Sequence, residues 1–88
     1  FKDSESYATM MNDMALCFQQ IGDYNAAIVR YKEAVALVLK KYGPEHPEYA
    51  ISLNNLGGAF FKMKRFDEAA SRFEEALAIY RKVYGDKH

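Results

Sequence analysis

The stretch Lys41-Tyr-Gly-Pro-Glu-His-Pro-Glu-Tyr-Ala50 ends one apolar-periodic run, turns, and starts another. Gly43 is the residue type that stops a helix in a left-handed conformation, and Pro44 just beyond cannot continue one. Pro47 then suits a first helical position, where its missing N–H leaves nothing unpaired. The opening of the stretch returns 42 residues later as Val83-Tyr-Gly-Asp-Lys-His88. Laying the chain on itself at that offset matches thirteen positions, among them Tyr7/Tyr49, Asn12/Asn54, Phe18/Phe60, Ala27/Ala69, Arg30/Arg72, Ala34/Ala76 and Gly43/Gly85. Conservative pairs such as Met14/Leu56, Tyr24/Phe66, Tyr31/Phe73 and Leu37/Ile79 fill in between. A period of this size marks a solenoid unit that buries its apolar face only by stacking on neighbours.

Each unit reads as two helices. In the first, Met11, Met14, Ala15, Phe18 and Ile21 follow one another at three- and four-residue steps, with Ser4 or Ser6 placed to cap them. Gly22-Asp23 supplies a tight turn. Tyr24, Ala27, Ile28, Tyr31, Ala34, Val35 and Val38 form the second stripe. The second unit repeats the pattern through Leu53, Leu56, Gly57, Phe60 and Met63, then Phe66, Ala69, Ala70, Phe73, Ala76, Leu77 and Tyr80. No segment alternates with period two. The expected fold is all-α: two antiparallel helix-turn-helix hairpins, residues 1–46 and 47–88, stacked as a short right-handed α-solenoid. Its four helices are expected over about 4–21, 24–42, 47–63 and 66–84.

Composition excludes several function classes. The 88 residues are half apolar and about a quarter charged, which is globular rather than disordered. Twelve basic residues balance twelve acidic ones. The balance holds within each half, so neither the counterion release that nucleic acids demand nor a basic face for anionic lipid is expected. No apolar run approaches the roughly 20 residues of a membrane-spanning helix, and the first residues lack the order of a signal peptide. Cys17 stands alone, which excludes a disulfide framework and favours an intracellular, reducing compartment. It reads as a small buried filler between Leu16 and Phe18, since no His is placed to activate it. His46 and His88 recur in the same inter-repeat turn and read as turn or capping residues rather than metal ligands. Lys62-Met-Lys-Arg65 closes a helix at its negative dipole end, with a patch for an acidic partner as the other reading. Glu68 and Arg72 are spaced for an i,i+4 pair. No phosphate loop and no nucleophile–base pair is present, so neither an enzyme nor a cofactor or metal site is expected.

Leu56-Gly57, Phe60, Phe66, Ala69, Phe73 and Ala76 together resemble the tetratricopeptide repeat. So do Met14-Ala15, Phe18, Gly22, Tyr24, Ala27, Tyr31 and Ala34. Ala15 or Gly57 and Ala27 or Ala69 would let the helices of a hairpin approach, with Ala34 or Ala76 at the next contact. The 42-residue period and the segments around 43–56 and 75–88 resemble the kinesin light chain subtype. Lys64, where the hairpin turn of the family has Gly, and the pair Met14-Ala15 depart from the pattern.

The resemblance implies a protein-interaction scaffold that holds peptide or helical segments of partner proteins in a concave groove lined by the first helix of each hairpin. A role in cargo or adaptor recognition follows if the kinesin likeness is literal. Helical geometry places Thr9, Asn12, Asp13, Leu16, Gln19 and Gln20 on one groove-facing stripe, and Ile51, Asn54, Asn55, Gly58, Phe61 and Lys62 on the other. Carboxamides can pair with both N–H and C=O of an extended backbone, and Phe61 could accept a ligand side chain. The two-carboxylate clamp of chaperone-tail receptors in the family needs Lys and Asn at positions that here hold Asn12 and Leu16, so that ligand is not expected; Asn55 alone matches. The competing readings are a structural array that self-associates without a peptide ligand, and RNA binding as in related helical-hairpin repeats, which the balanced charge opposes.

Two repeats fall short of the three or so expected for independent stability. Phe73, Leu77 and Tyr80 would stay partly uncovered on the last helix, so the chain is expected to be marginal or to form a homo-oligomer through that face. Its start without Met, and an echo at Gly85–His88 that lacks the Pro to begin a third repeat, are read as signs of a longer parent array.

Overall fold

A computed structural model describes the backbone of residues 4–85 and the side chains of residues 7–85. The described residues hold four helices and no strand: α1 (Ser4–Gln20), α2 (Tyr24–Tyr42), α3 (Pro47–Lys62) and α4 (Phe66–Tyr84). The ends of α1 and α3 fall one residue short of the expected 21 and 63, a fraying difference. The Ser4 and Ser6 side chains and His88 lie outside the described residues.

The turns behave as their residues dictate. Gly22, Gly43 and Gly85 take φ near +90°, the region that glycine enters without a Cβ penalty. Asp23 caps α2, its carboxylate accepting the Ala26 N–H at 3.2 Å. His46 caps α3 as expected of a turn histidine: Nδ1 accepts the Glu48 N–H at 3.0 Å, and Pro47 sits at the helix start. The turn between α3 and α4 is the poor relation. Lys64, the counterpart of Gly22, is forced to φ 66°, and Arg65 offers α4 no side-chain cap. Asp67 and Glu68 in the first turn of α4 offset this by meeting the positive end of the helix dipole.

The hairpins α1–α2 and α3–α4 pack through small residues. Ala15, Ala27, Ala34, Ala69 and Ala76 are all essentially inaccessible. Gly57 is needed at its site: a Cβ there would lie 2.8 Å from the Phe73 ring. One cluster joins Ala15, Ala27, Ile28 and Tyr31 to Leu56, Ala59, Phe60 and Ala69. A second joins Ala8 and Val38 to Tyr49, Ala50, Leu53, Ala76 and Ile79. Both clusters draw on α2 and α3, so the two hairpins share one core. The molecule extends 37 × 35 × 17 Å, the thickness of two helix layers.

Four expectations fail on the surface side of this core. Met14 and Ile21 are exposed rather than packed. Cys17, expected to be buried, is exposed, because nothing stacks on its side of α1. Ala70 is exposed on α4 for the same reason, and Phe66 because it opens α4 directly after the turn, with only Phe61 edge-on to it. Glu68 pairs with Arg65 through two short contacts of 2.6 and 2.7 Å instead of with Arg72, which reaches Glu75. The Arg65 fork holds the Glu68 carboxyl below its usual range by hydrogen bonding first and by charge second.

Candidate functional site

The groove candidates occupy α1 and α3, the first helix of each hairpin. On α1, Thr9, Asp13, Leu16 and Gln20 are exposed, while Asn12 and Gln19 are half-buried. Gln19 is engaged inside its own hairpin, its Oε1 accepting the Tyr31 hydroxyl at 3.3 Å. The Asn12 Oδ1 is covered and receives no hydrogen bond, so that atom is closed to a ligand. On α3, Ile51, Asn54, Phe61 and Lys62 are exposed, and Asn55 and Gly58 are half-buried. A Cβ on Gly58 would meet open space, so its role is not close packing. The Phe61 ring stands edge-on to Phe66 at 5.3 Å, which fixes its direction while leaving more than half of it in water.

The ends of the two stripes meet. Gln19 and Gln20 from α1, Tyr24 from α2 and Lys62 from α3 line a polar depression of about 340 Å³. Its carboxamides, phenol and ammonium can donate to and accept from a peptide backbone and can meet a carboxylate. The α2 periodicity assigns Tyr24 to the packing stripe. It opens α2 directly after the turn, however, which leaves its ring at the rim.

Two further depressions lie away from these stripes. Lys32, Phe60, Asp67, Glu68, Ser71 and Arg72 line one of about 260 Å³, where charges of both signs surround an aromatic floor. Lys32 and Arg65 sit over the Phe60 ring at 6.0 and 4.8 Å. The other, about 330 Å³, is mainly apolar, with Leu39, Tyr49 and Ile79 below an exposed Lys82–Glu45 ion pair of 2.7 Å. Tyr49 donates its hydroxyl to Glu75 at 3.4 Å. Burial, and then the Glu75 charge and hydrogen bond, raise its pKa; Arg72 opposes them. Burial alone raises that of Tyr31. Sequence reasoning missed both depressions because each is made between hairpins.

Among the described residues no group of three His, Cys, Asp or Glu could hold a metal ion, and no helix is long and apolar enough to cross a membrane. No curated protein matches the chain. The four-helix architecture, the small-residue contacts within each hairpin and the stacking of one hairpin on the next are those of a repeat scaffold. Comparison with protein families matches residues 5–88 to the tetratricopeptide repeat. The chain therefore belongs to the tetratricopeptide repeat family, whose helical hairpins serve as scaffolds for protein–protein interaction.

Proposed function

We propose that the face formed by α1 and α3 takes a peptide or helical segment of a partner protein. The observation that carries this reading is the exposure of Leu16, Ile51 and Phe61 beside the carboxamides of Gln20, Asn54 and Asn55. Apolar residues held open among amide donors and acceptors suit a ligand whose backbone is paired and whose side chains are received. The 42-residue period supports the finer reading of a kinesin light chain-like adaptor that recognises cargo as part of a longer array. Balanced charge supports a protein rather than a nucleic-acid or membrane partner. A lone, exposed thiol fits an intracellular, reducing setting.

Selection from a displayed random-peptide library on the immobilised chain tests the reading. Peptides so obtained are expected to lose at least about tenfold in affinity on Phe61→Ala or Asn54→Ala, a loss of roughly 1.4 kcal/mol. Glu74→Ala, an exposed change on α4, is expected to leave binding unchanged. Recovery of no binders, or binders indifferent to both groove substitutions in folded protein, would overturn it.

A further inference from the structure

The two depressions between the hairpins are stations of one groove. One wall is α2, through Lys32 at the first station and Leu39 at the second; the other is α4, from Asp67 to Lys82. The floor is α3, with Phe60 under the first station and Tyr49 under the second. The groove is formed wholly at the internal junction and belongs to the second helix of each hairpin, away from the α1–α3 stripes. Charge at the first station does not cancel. Glu68 is held by the Arg65 fork, and Asp67 meets the positive end of the α4 dipole. Lys32 has no ion-pair partner among the described residues, its ammonium standing 6.0 Å over the Phe60 ring. Arg72 reaches Glu75 only at 3.8 Å, and its Nε has no hydrogen-bond partner. Two under-used cations therefore border this station. The second station is mainly apolar, with Leu39 and Ala78 exposed above Ile79, and its rim charges Lys82 and Glu45 satisfy each other.

We propose that this groove docks an extended segment of a partner protein, with an acidic side chain at the first station and an aliphatic one four positions away at the second. A carboxylate supplies what Lys32 and Arg72 lack, and Leu39, Ala78 and Ile79 receive the aliphatic group. The spacing follows from α4. Its lining residues at the two stations are centred about nine positions apart, a separation of about 13 Å. Residues i and i+4 of an extended chain are also about 13 Å apart and point the same way. Between the stations stand Ser71, Arg72 and Glu75, whose donors and acceptors can pair with an open peptide backbone. A helix satisfies its own backbone and would cover these groups with nothing in return. The site is separate from the α1–α3 face, and the two readings stand or fall independently.

Selection from two displayed peptide libraries tests it, on immobilised chain carrying Asn54→Ala and Phe61→Ala so that the α1–α3 face is disabled. One library fixes Glu and Leu four positions apart, in either order, among random residues. The other fixes them three apart, which sends them to opposite sides of an extended chain. Binders are expected from the first library at least about tenfold more often than from the second. A synthesised binder is expected to shift the backbone NMR signals of Leu39, Ser71 and Ala78, and to lose about tenfold or more in affinity on Lys32→Glu. With its own Glu replaced by Lys, the same peptide is expected to bind the Lys32→Glu chain better than the original does, an inversion that a merely structural Lys32 would not give. Ala78→Arg is expected to fill the second station and weaken every binder. Circular dichroism verifies that each variant folds; Leu39→Ser replaces Ala78→Arg, and Lys32→Ala replaces Lys32→Glu, if either does not. Libraries that yield binders equally, or none, overturn the proposal. So do binders indifferent to the Lys32 substitution, and binders that shift signals of α1 and α3 alone.

Discussion

Tyr31 and Phe73 stand at the same position of the two repeats, differ by one hydroxyl, and experience different surroundings. Tyr31 is closed in by α3 as well as by its own hairpin, whereas the Phe73 ring rests against Gly57 of α3 and has no further hairpin to cover the rest of it. On the first helices the order is reversed. Tyr49, Ser52, Leu56 and Ala59 of α3 are buried, while Tyr7, Met10, Met14 and Cys17 of α1 are exposed. What differs between the repeats is which side has a neighbour, not how apolar the residues are. In a stacked array burial belongs to the interface between units, and a residue gains its packing energy from the next hairpin.

Truncation measures that difference directly. Tyr31→Ala empties a closed site and is expected to cost on the order of 3–5 kcal/mol in urea denaturation. Phe73→Ala gives up a ring already partly in water, and about 1–2 kcal/mol is expected. Equal losses would break the comparison, since they would mean that the outer face of α4 is as well packed as the junction between hairpins.

How much of this was legible in the sequence depends on the range of the interaction. Gly22, Asp23, Gly43, His46 and Pro47 act within a few residues, and the structure finds them in the turns and caps their chemistry implies. The stripes of α2 and α3 were legible too, because each of these helices has neighbours on both sides. Periodicity could not say that Met14, Cys17 and Ile21 lie open, Ile21 at 77%, for it reports which residues share a face and not whether anything covers it. It also passed over Ser52, a buried polar residue on the packing face of α3. Asn12 and Asn54 recur at the repeat offset, yet Asn12 hides its Oδ1 and Asn54 is exposed. Recurrence fixes position in the repeat; surroundings come from the stack.

The two hairpin turns sharpen the comparison at the backbone. Gly22 and Lys64 hold equivalent left-handed positions at φ 91° and 66°. A Cβ on Gly22 would touch nothing, so the cost of Gly22→Lys is one of backbone conformation alone, about 1–2 kcal/mol. The reverse change, Lys64→Gly, relieves the same strain but loosens the unfolded chain, and a net gain of about 0.5–1 kcal/mol is expected. Thermal midpoints of the two variants should therefore move in opposite directions. A fall on Lys64→Gly would show that its side chain makes a contact worth more than the strain.

The smallest expected effect separates the hydroxyls that each hairpin ties down. Tyr31 donates to the neutral Gln19 across α1–α2, and Tyr49 to the charged Glu75 across α3–α4. Both phenols titrate above their ordinary value in the folded chain. A raised folded pKa means that the folded state holds its proton longer than the unfolded one. The resulting stability is complete below the unfolded value near pH 10 and is lost as pH climbs through the folded value. Denaturation midpoints should hold steady from neutrality toward pH 9 and then fall. Tyr49→Phe is expected to flatten that fall, because it removes the phenolate that would form beside Glu75. Glu75→Gln is expected to flatten it only in part, since burial, the larger cause, would remain. If Glu75→Gln flattened it as fully as Tyr49→Phe, charge rather than burial would govern Tyr49, and the second hairpin would differ from the first in electrostatics as well as in what covers it.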